Sequence, residues 1–198
     1  MTKHMPPLRA ASMADAAILA ELVNYAGEGL PLYLWSRQVG SLAEAWDIGR
    51  QRAMRDAGAF SWRNAVMIDV GGRAAGCLIG YAIPEDPEPI ADDMPAMFRP
   101  LQELENMALG SWYVNVLAVV PAHRGEGLGT RLLDAAHAIA REQGCRTLSI
   151  IVSDANADAR RLYERTGFSE IASRPIVKDD WANDGRNWVL MTKPLAAA

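Results

Sequence analysis

An α/β or α+β fold, one sheet with helices on both faces, is what this sequence predicts, and three observations predict it. Strand-like and helix-like stretches alternate along the chain. A nearly continuous apolar run, Trp112 to Val119, breaks at Pro121 and passes through a glycine-rich turn into a helical pattern. Two more strand-like runs, Trp62 to Val70 and Ala74 to Ala82, are joined by Gly71-Gly72, a dipeptide suited to a tight hairpin. At 198 residues, 50% of them hydrophobic, the chain can bury one sizeable core and is too short for two ordinary domains, so residues 1–198 read as a single domain.

Taken in order, Leu8 to Ala11 reads as an edge strand. Ser12 and Asp15 then give a capping-box start to a helix carrying Ile18, Leu19, Leu22 and Val23, which stops near Gly27. The apolar stretch Gly29 to Trp35 contains Pro31 and suits a loop or a short helix. Leu32, Leu34 and Trp35 either cover the core or line a pocket. Ser41 caps a second helix to about Ala57, and the glycine hairpin follows. Residues 84–100 hold five prolines with Glu85, Asp86, Glu88, Asp92 and Asp93, which predicts an irregular surface excursion: a lid that attracts cations, or a solvated loop without a role. Leu101 to Met107 is a short helix bearing Glu103 and Glu105, and Gly110 stops it. The strand Trp112 to Val119 is apolar on both faces, as a covered central strand requires. Leu128, Leu132, Ala135, Ala136 and Ile139 keep helical spacing up to a stop at Gly144. Thr147 to Val152 is another buried strand, a helix that begins at Asn156 follows and Gly167 ends it, and Phe168 to Ala172 and Trp188 to Thr192 are the last strands.

In the glycine-rich turn, Gly125, Gly127 and Gly129 remove side chains where backbone N–H groups converge at the start of a helix. Such a point binds anions, and Arg124 adds a guanidinium, so a diphosphate is the natural ligand. The run Arg124-Gly125-Glu126-Gly127-Leu128-Gly129 resembles the Arg-x-x-Gly-x-Gly coenzyme A loop of the GCN5-related N-acetyltransferases. Asn156 to Phe168, with Ala159, Leu162, Tyr163 and Gly167 in register, resembles that family's next motif. The resemblance covers Trp112 to Phe168 well and the remainder by order of elements. It implies a mixed, mostly antiparallel central sheet and transfer of an acetyl group from acetyl-CoA to a primary amine in a ternary complex.

The resemblance also distributes roles. Leu117, Ala118 and Val119 offer backbone to the pantetheine arm, Arg124, Gly125, Glu126, Gly127, Leu128, Gly129 and Thr130 hold the pyrophosphate, and Asn156 bonds the coenzyme arm, although a helix cap would also explain it. Tyr163 stands near the thioester sulfur and protonates the leaving thiolate; a core tyrosine is the alternative. Some family members carry a glutamate on the central strand, and this strand has none. Glu103 or Glu105, acting directly or through a water positioned by Tyr113 or Asn115, is the substitute, with Glu105 ranked first.

Two rival readings stand beside transfer. A non-catalytic acyl-CoA-binding sensor would keep the loop and lack turnover. A Rossmann-type dinucleotide binder would use Gly125-x-Gly127 with Asp154, yet its third small position falls on Thr130. The net charge of −4 and pI near 5.4 argue against general affinity for nucleic acid or anionic membranes. Cys77 and Cys145 are the only cysteines, so no disulfide framework or cysteine zinc site is expected, and His4, His123 and His137 have no triad or metal-ligand spacing. The first residues lack the apolar core of a signal peptide, and no run approaches the ~20 apolar residues of a membrane span. A soluble, cytoplasmic protein is expected. Its acceptor is a small-molecule or protein amine, and a homodimer is compatible with the resembling family, where pairing is common.

Overall fold

The computed structural model describes residues 6–195. Its strands are β1 (Leu8–Ala10), β2 (Ala65–Val70), β3 (Arg73–Ala82), β4 (Trp112–Val119), β5 (Thr147–Ser153), β6 (Ser169–Pro175) and β7 (Asn187–Pro194), ordered β1-β2-β3-β4-β5-β7-β6 in one sheet. The pairs β1/β2, β2/β3, β5/β7 and β6/β7 are antiparallel. The β4/β5 pair is parallel and needs a crossover, which α5 (Leu128–Glu142) supplies. This is the mixed, mostly antiparallel sheet flanked by helices that the resemblance implies. The chain divides into two compact units: the first runs to Gly80 and takes in Val116–Leu133, and the second comprises Tyr81–Asn115 and the chain from Asp134 onward.

In the first unit, the Ser12 N–H donates to Asp15 Oδ2 at 2.8 Å, as the capping box predicts. Arg9 donates to both Asp15 oxygens and, through Nε, to Asp69 at 2.8 Å, which ties β1 to β2. Arg9 thereby holds the Asp15 carboxyl down at about 2, against burial that pushes it up. Helix α1 (Ala16–Ala26) buries Leu19, Leu22 and Val23 in a core with Met67, Cys77, Ile79, Val116 and Ala118. Burial pushes the Cys77 thiol well up, so it stays protonated.

The proline-broken stretch forms helix α2 (Leu30–Ser36), because Pro31 falls in the first turn, where a missing N–H breaks no intrahelical bond. Trp35 is 3% exposed and packs 6.0 Å from Trp46 and 6.2 Å from Phe60 between ring centroids. The core reading therefore holds for Trp35. Helix α3 (Leu42–Ala53) begins at Ser41, whose Oγ accepts from the Glu44 N–H, and it ends four residues short of the expected Ala57. Trp62–Asn64 is a 3-10 turn and not the start of a strand, because the Ser61 hydroxyl caps it by accepting from the Arg63 N–H. Gly71 and Gly72 both take positive φ, 58° and 77°, as a two-residue hairpin requires.

Gly76 sets how closely β3 approaches β4. A Cβ there would lie 2.6 Å from the Ala118 carbonyl oxygen and 3.3 Å from the Val119 Cα, both backbone atoms that cannot swing aside. Gly76→Ala is therefore expected to cost about 1–3 kcal/mol of stability by overpacking, read as a lowered urea midpoint at unchanged slope. An unchanged midpoint would show that the backbone gives way freely.

In the second unit, Leu148 and Ile150 of β5 lie buried beside Leu190 and Met191 of β7. Helix α4 (Arg99–Glu105) inserts the fully buried Leu104, and Arg174 of β6 donates through Nε to Glu103 at 2.6 Å. Helix α6 (Ala157–Arg165) contributes Tyr163, and the buried Ser111 and Ser149 hydroxyls bond each other at 2.6 Å. The proline-rich segment is irregular, as expected, and it is fastened at several points. Gly110 N–H donates to the Pro84 carbonyl, Ile83 N–H to the Ser111 carbonyl, and Arg99 Nη2 to the carbonyls of Ala91 and Asp92.

Candidate functional site

The first unit carries the glycine loop. From β4 the chain passes through a 3-10 turn, Pro121–His123, and enters α5 at Leu128, whose 3% exposure anchors the helix start in the core. Gly125 and Gly127 have φ of 80° and 84°, and a Cβ built on either would meet no protein atom within 4 Å. The left-handed backbone explains the glycines, and the open space beside them is a cradle that side chains would fill. Behind it, the first N–H groups of a 15-residue helix lack intrahelical acceptors and carry the positive end of its dipole. Arg124 is exposed, its Nε 3.3 Å from the Val119 carbonyl, and His123 Nδ1 lies 3.2 Å from Glu126 Oε1. Arg131 bonds the Pro6 carbonyl. These groups fit a diphosphate. On β4, Ala118 is buried while Leu117 and Val119 are half-buried, and the ladder to β5 covers only Trp112–Val114.

The second unit carries the titratable cluster. Glu103 is taken by Arg174, whereas the Glu105 side chain has no hydrogen bond or ion pair among the described residues. Burial first, and then the charge of Glu88, push the Glu105 carboxyl up to about 7. Beside it, Tyr113 is 5% exposed, and its ring meets that of Tyr81 edge-on with centroids 5.7 Å apart. Burial and the charge of Glu105 raise both phenols. A carboxylate near neutrality among protonated phenols is what proton transfer from an ammonium requires. Tyr81 is the residue that sequence reasoning missed. An aromatic at a strand end carries no signal until the sheet brings Tyr113 beside it.

Tyr163 is 4% exposed and packs against Phe168 with ring centroids 5.8 Å apart. Asn156 caps α6, its Oδ1 accepting from the Ala159 N–H at 3.2 Å. Asp154, the acid a dinucleotide reading needs, accepts instead from the N–H groups of Arg186 and Asn187 and from Asn187 Nδ2, at 2.8, 3.0 and 2.9 Å. Its oxygens are committed to holding β7 against the end of β5. Among the described residues no group of three or more His, Cys, Asp and Glu side chains could hold a metal ion, and no helix is long and apolar enough to cross a membrane.

Comparison with known proteins adds sequence evidence. The family model for the acetyltransferase (GNAT) family matches residues 32–168. The chain is 42% identical over 66 residues to acetyltransferase Atu2258 of Agrobacterium fabrum, covering 33% of this chain and 47% of that one. It is 29% identical over 151 residues to the L-methionine sulfoximine/L-methionine sulfone acetyltransferase of Pseudomonas paraeruginosa, covering 74% and 77%. The chain thus spans about half the length of the first relative and more of the second. Among solved structures, yncA from Salmonella typhimurium with its cofactor acetyl-CoA aligns with a TM-score of 0.57 at 20% identity, over 98% of this chain and 95% of that one, a likeness of fold.

Proposed function

Because this chain belongs to the acetyltransferase (GNAT) family, we propose that it is an N-acetyltransferase that passes the acetyl group of acetyl-CoA to a primary amine by direct attack in a ternary complex. The observation that carries the reading is the cradle at Gly125 and Gly127: left-handed backbone and open space at the head of α5, where a diphosphate belongs. When bound, acetyl-CoA supplies an acyl carbon activated for attack and a sulfur leaving group. Arg124 to Thr130 hold the diphosphate, with Arg124 as the fixed cation and Glu126 kept to the side by His123. Leu117, Ala118 and Val119 offer backbone N–H and carbonyl groups to the pantetheine arm. The Asn156 side chain already caps α6, so its share in coenzyme binding falls to its amide N–H₂.

Glu105 is the general base. Near neutrality it is partly ionised, so it can accept a proton from an ammonium without an unfavourable mismatch, and no cation of the described residues competes for it. Tyr163 holds a proton at its phenolic oxygen for the departing sulfur, and a phenol can act as general acid toward a thiolate leaving group. Replacing it as Tyr163→Phe is expected to lower kcat about 10- to 100-fold with acetyl-CoA affinity unchanged. Full activity of that variant would leave Tyr163 as a core residue.

The testing experiment is calorimetric titration of the protein with acetyl-CoA and, separately, NADH. An amine panel that includes L-methionine sulfone follows, scored by free-thiol release above hydrolysis. Acetyl-CoA binding with amine-dependent thiol release is expected. Binding without release across the panel would favour a coenzyme-binding sensor, and binding of NADH alone would overturn the reading of the loop. A cytoplasmic, single-domain enzyme is the setting this reading assumes.

A further inference from the structure

The acidic, proline-rich segment is held where its charge matters. Asn106, at the end of α4, grips the backbone of Glu88 from both sides: the Glu88 N–H donates to Asn106 Oδ1 at 3.0 Å, and Asn106 Nδ2 donates to the Glu88 carbonyl at 2.8 Å. That two-bond clamp, with the Arg99 bonds to Ala91 and Asp92, fixes the backbone of the segment while Glu88 itself stays exposed. Held there, the charge of Glu88 bears on both Glu105 and Tyr81.

A second observation points to a ligand. Tyr113 is only 5% exposed, and among the described residues neither its hydroxyl nor that of the half-buried Tyr81 beside it has a protein partner, so both phenol oxygens open onto space that solvent or a ligand fills. Enclosed phenols that open onto such space, with a half-buried carboxylate that no protein cation neutralises, leave hydrogen-bond acceptors and negative charge for a ligand to meet. One group answers all of them. An ammonium offers three donors and a positive charge to carboxylate and phenol oxygens, and it is attracted to aromatic faces. A carboxylate next to that nitrogen would instead meet Glu88 and Glu105 as like charges.

We infer that Glu88, Glu105, Tyr81 and Tyr113 form an ammonium receptor in which Glu88, positioned by Asn106, determines specificity, so that the acceptor is a cationic amine with no carboxylate beside its reacting nitrogen. The inference rests on the acetyl-transfer reading and narrows its acceptor. Two matched pairs test it: agmatine against arginine and tyramine against tyrosine, each pair with one primary amine per molecule and differing by one carboxylate. In the full chain with acetyl-CoA, kcat/KM from thiol release is expected to favour the decarboxylated member by about tenfold or more. Glu88→Gln and Asn106→Ala are each expected to narrow that ratio about threefold or more, through KM, while calorimetry finds acetyl-CoA affinity unchanged.

Equal use of the members of each pair overturns the inference, as does a ratio that neither variant changes. If none of the four amines turns over, agmatine is titrated calorimetrically in the presence of coenzyme A. Heat that diminishes in Glu88→Gln supports the receptor, and absence of heat overturns it. The transfer reading fails separately, only if the parent protein does not bind acetyl-CoA or releases no thiol with any amine of the wider panel.

Discussion

Glu105→Gln is expected to lower kcat by about 10²- to 10⁴-fold, the usual worth of a positioned base, while acetyl-CoA binds as before. The parent enzyme is expected to show kcat/KM rising with pH through about 7, since Glu105 must be ionised to accept a proton. That ascending limb should be absent from the variant. The same residue predicts an effect on stability, with a definite sign. Its carboxyl lies near 4.5 when unfolded and is raised to about 7 when folded, first by burial and then by Glu88, so the folded state keeps a proton that the unfolded state has lost between those values. Stability from this group is intact below pH 4.5 and declines as pH rises through 7, by about 3 kcal/mol in total. Glu105→Gln should therefore match the parent near pH 4 and exceed it in thermal stability at pH 8. A variant no more stable at pH 8, with undiminished kcat, would show that Glu105 is solvated and uninvolved.

Gly127→Asp is expected to weaken acetyl-CoA binding by at least about 100-fold. The residue sits at φ 84°, in a region that Asp tolerates better than most side chains, and no protein atom lies within 4 Å of its Cβ position. The fold should survive, so the loss would come from bulk and negative charge placed where the proposed reading puts the diphosphate. Calorimetry measures the affinity, and a thermal melt confirms the fold. Unchanged affinity in a folded variant would reject the assignment of the loop.

The stretch from Trp112 to Arg141 was legible in the sequence because its information is local. Glycines mark the positive-φ turns, and Leu128, Leu132 and Ala136 keep one helical face. Boundaries set by single side chains were harder. Trp62 reads as a strand residue until the Ser61 hydroxyl is seen capping a turn, and Pro31 reads as a breaker until it falls in the first turn of α2. The cluster around Glu105 was legible only in part, because what distinguishes it from Glu103 is Arg174, a residue 71 positions away. The clamp of Asn106 on Glu88, across 18 positions, likewise leaves no local trace, and a run of acidic residues between prolines looks the same tethered or free.

Neither compact unit is a continuous piece of chain: the first needs Val116–Leu133 in addition to everything before Gly80. In the finished protein the Val120 N–H donates to the Ala75 carbonyl, and Gly76 lies against Ala118. A ribosome that has delivered only the first 80 residues has therefore released a hairpin whose outer strand, β3, still offers unpaired N–H and carbonyl groups to any passing chain. Translation must run on past Val120 before that edge can be closed, an interval of roughly 2–8 s at ordinary elongation rates of about 5–20 residues per second. During that interval an unpaired strand edge lies open on every nascent copy, and its closure by β4 comes just before the glycine turn at 124–130 is made.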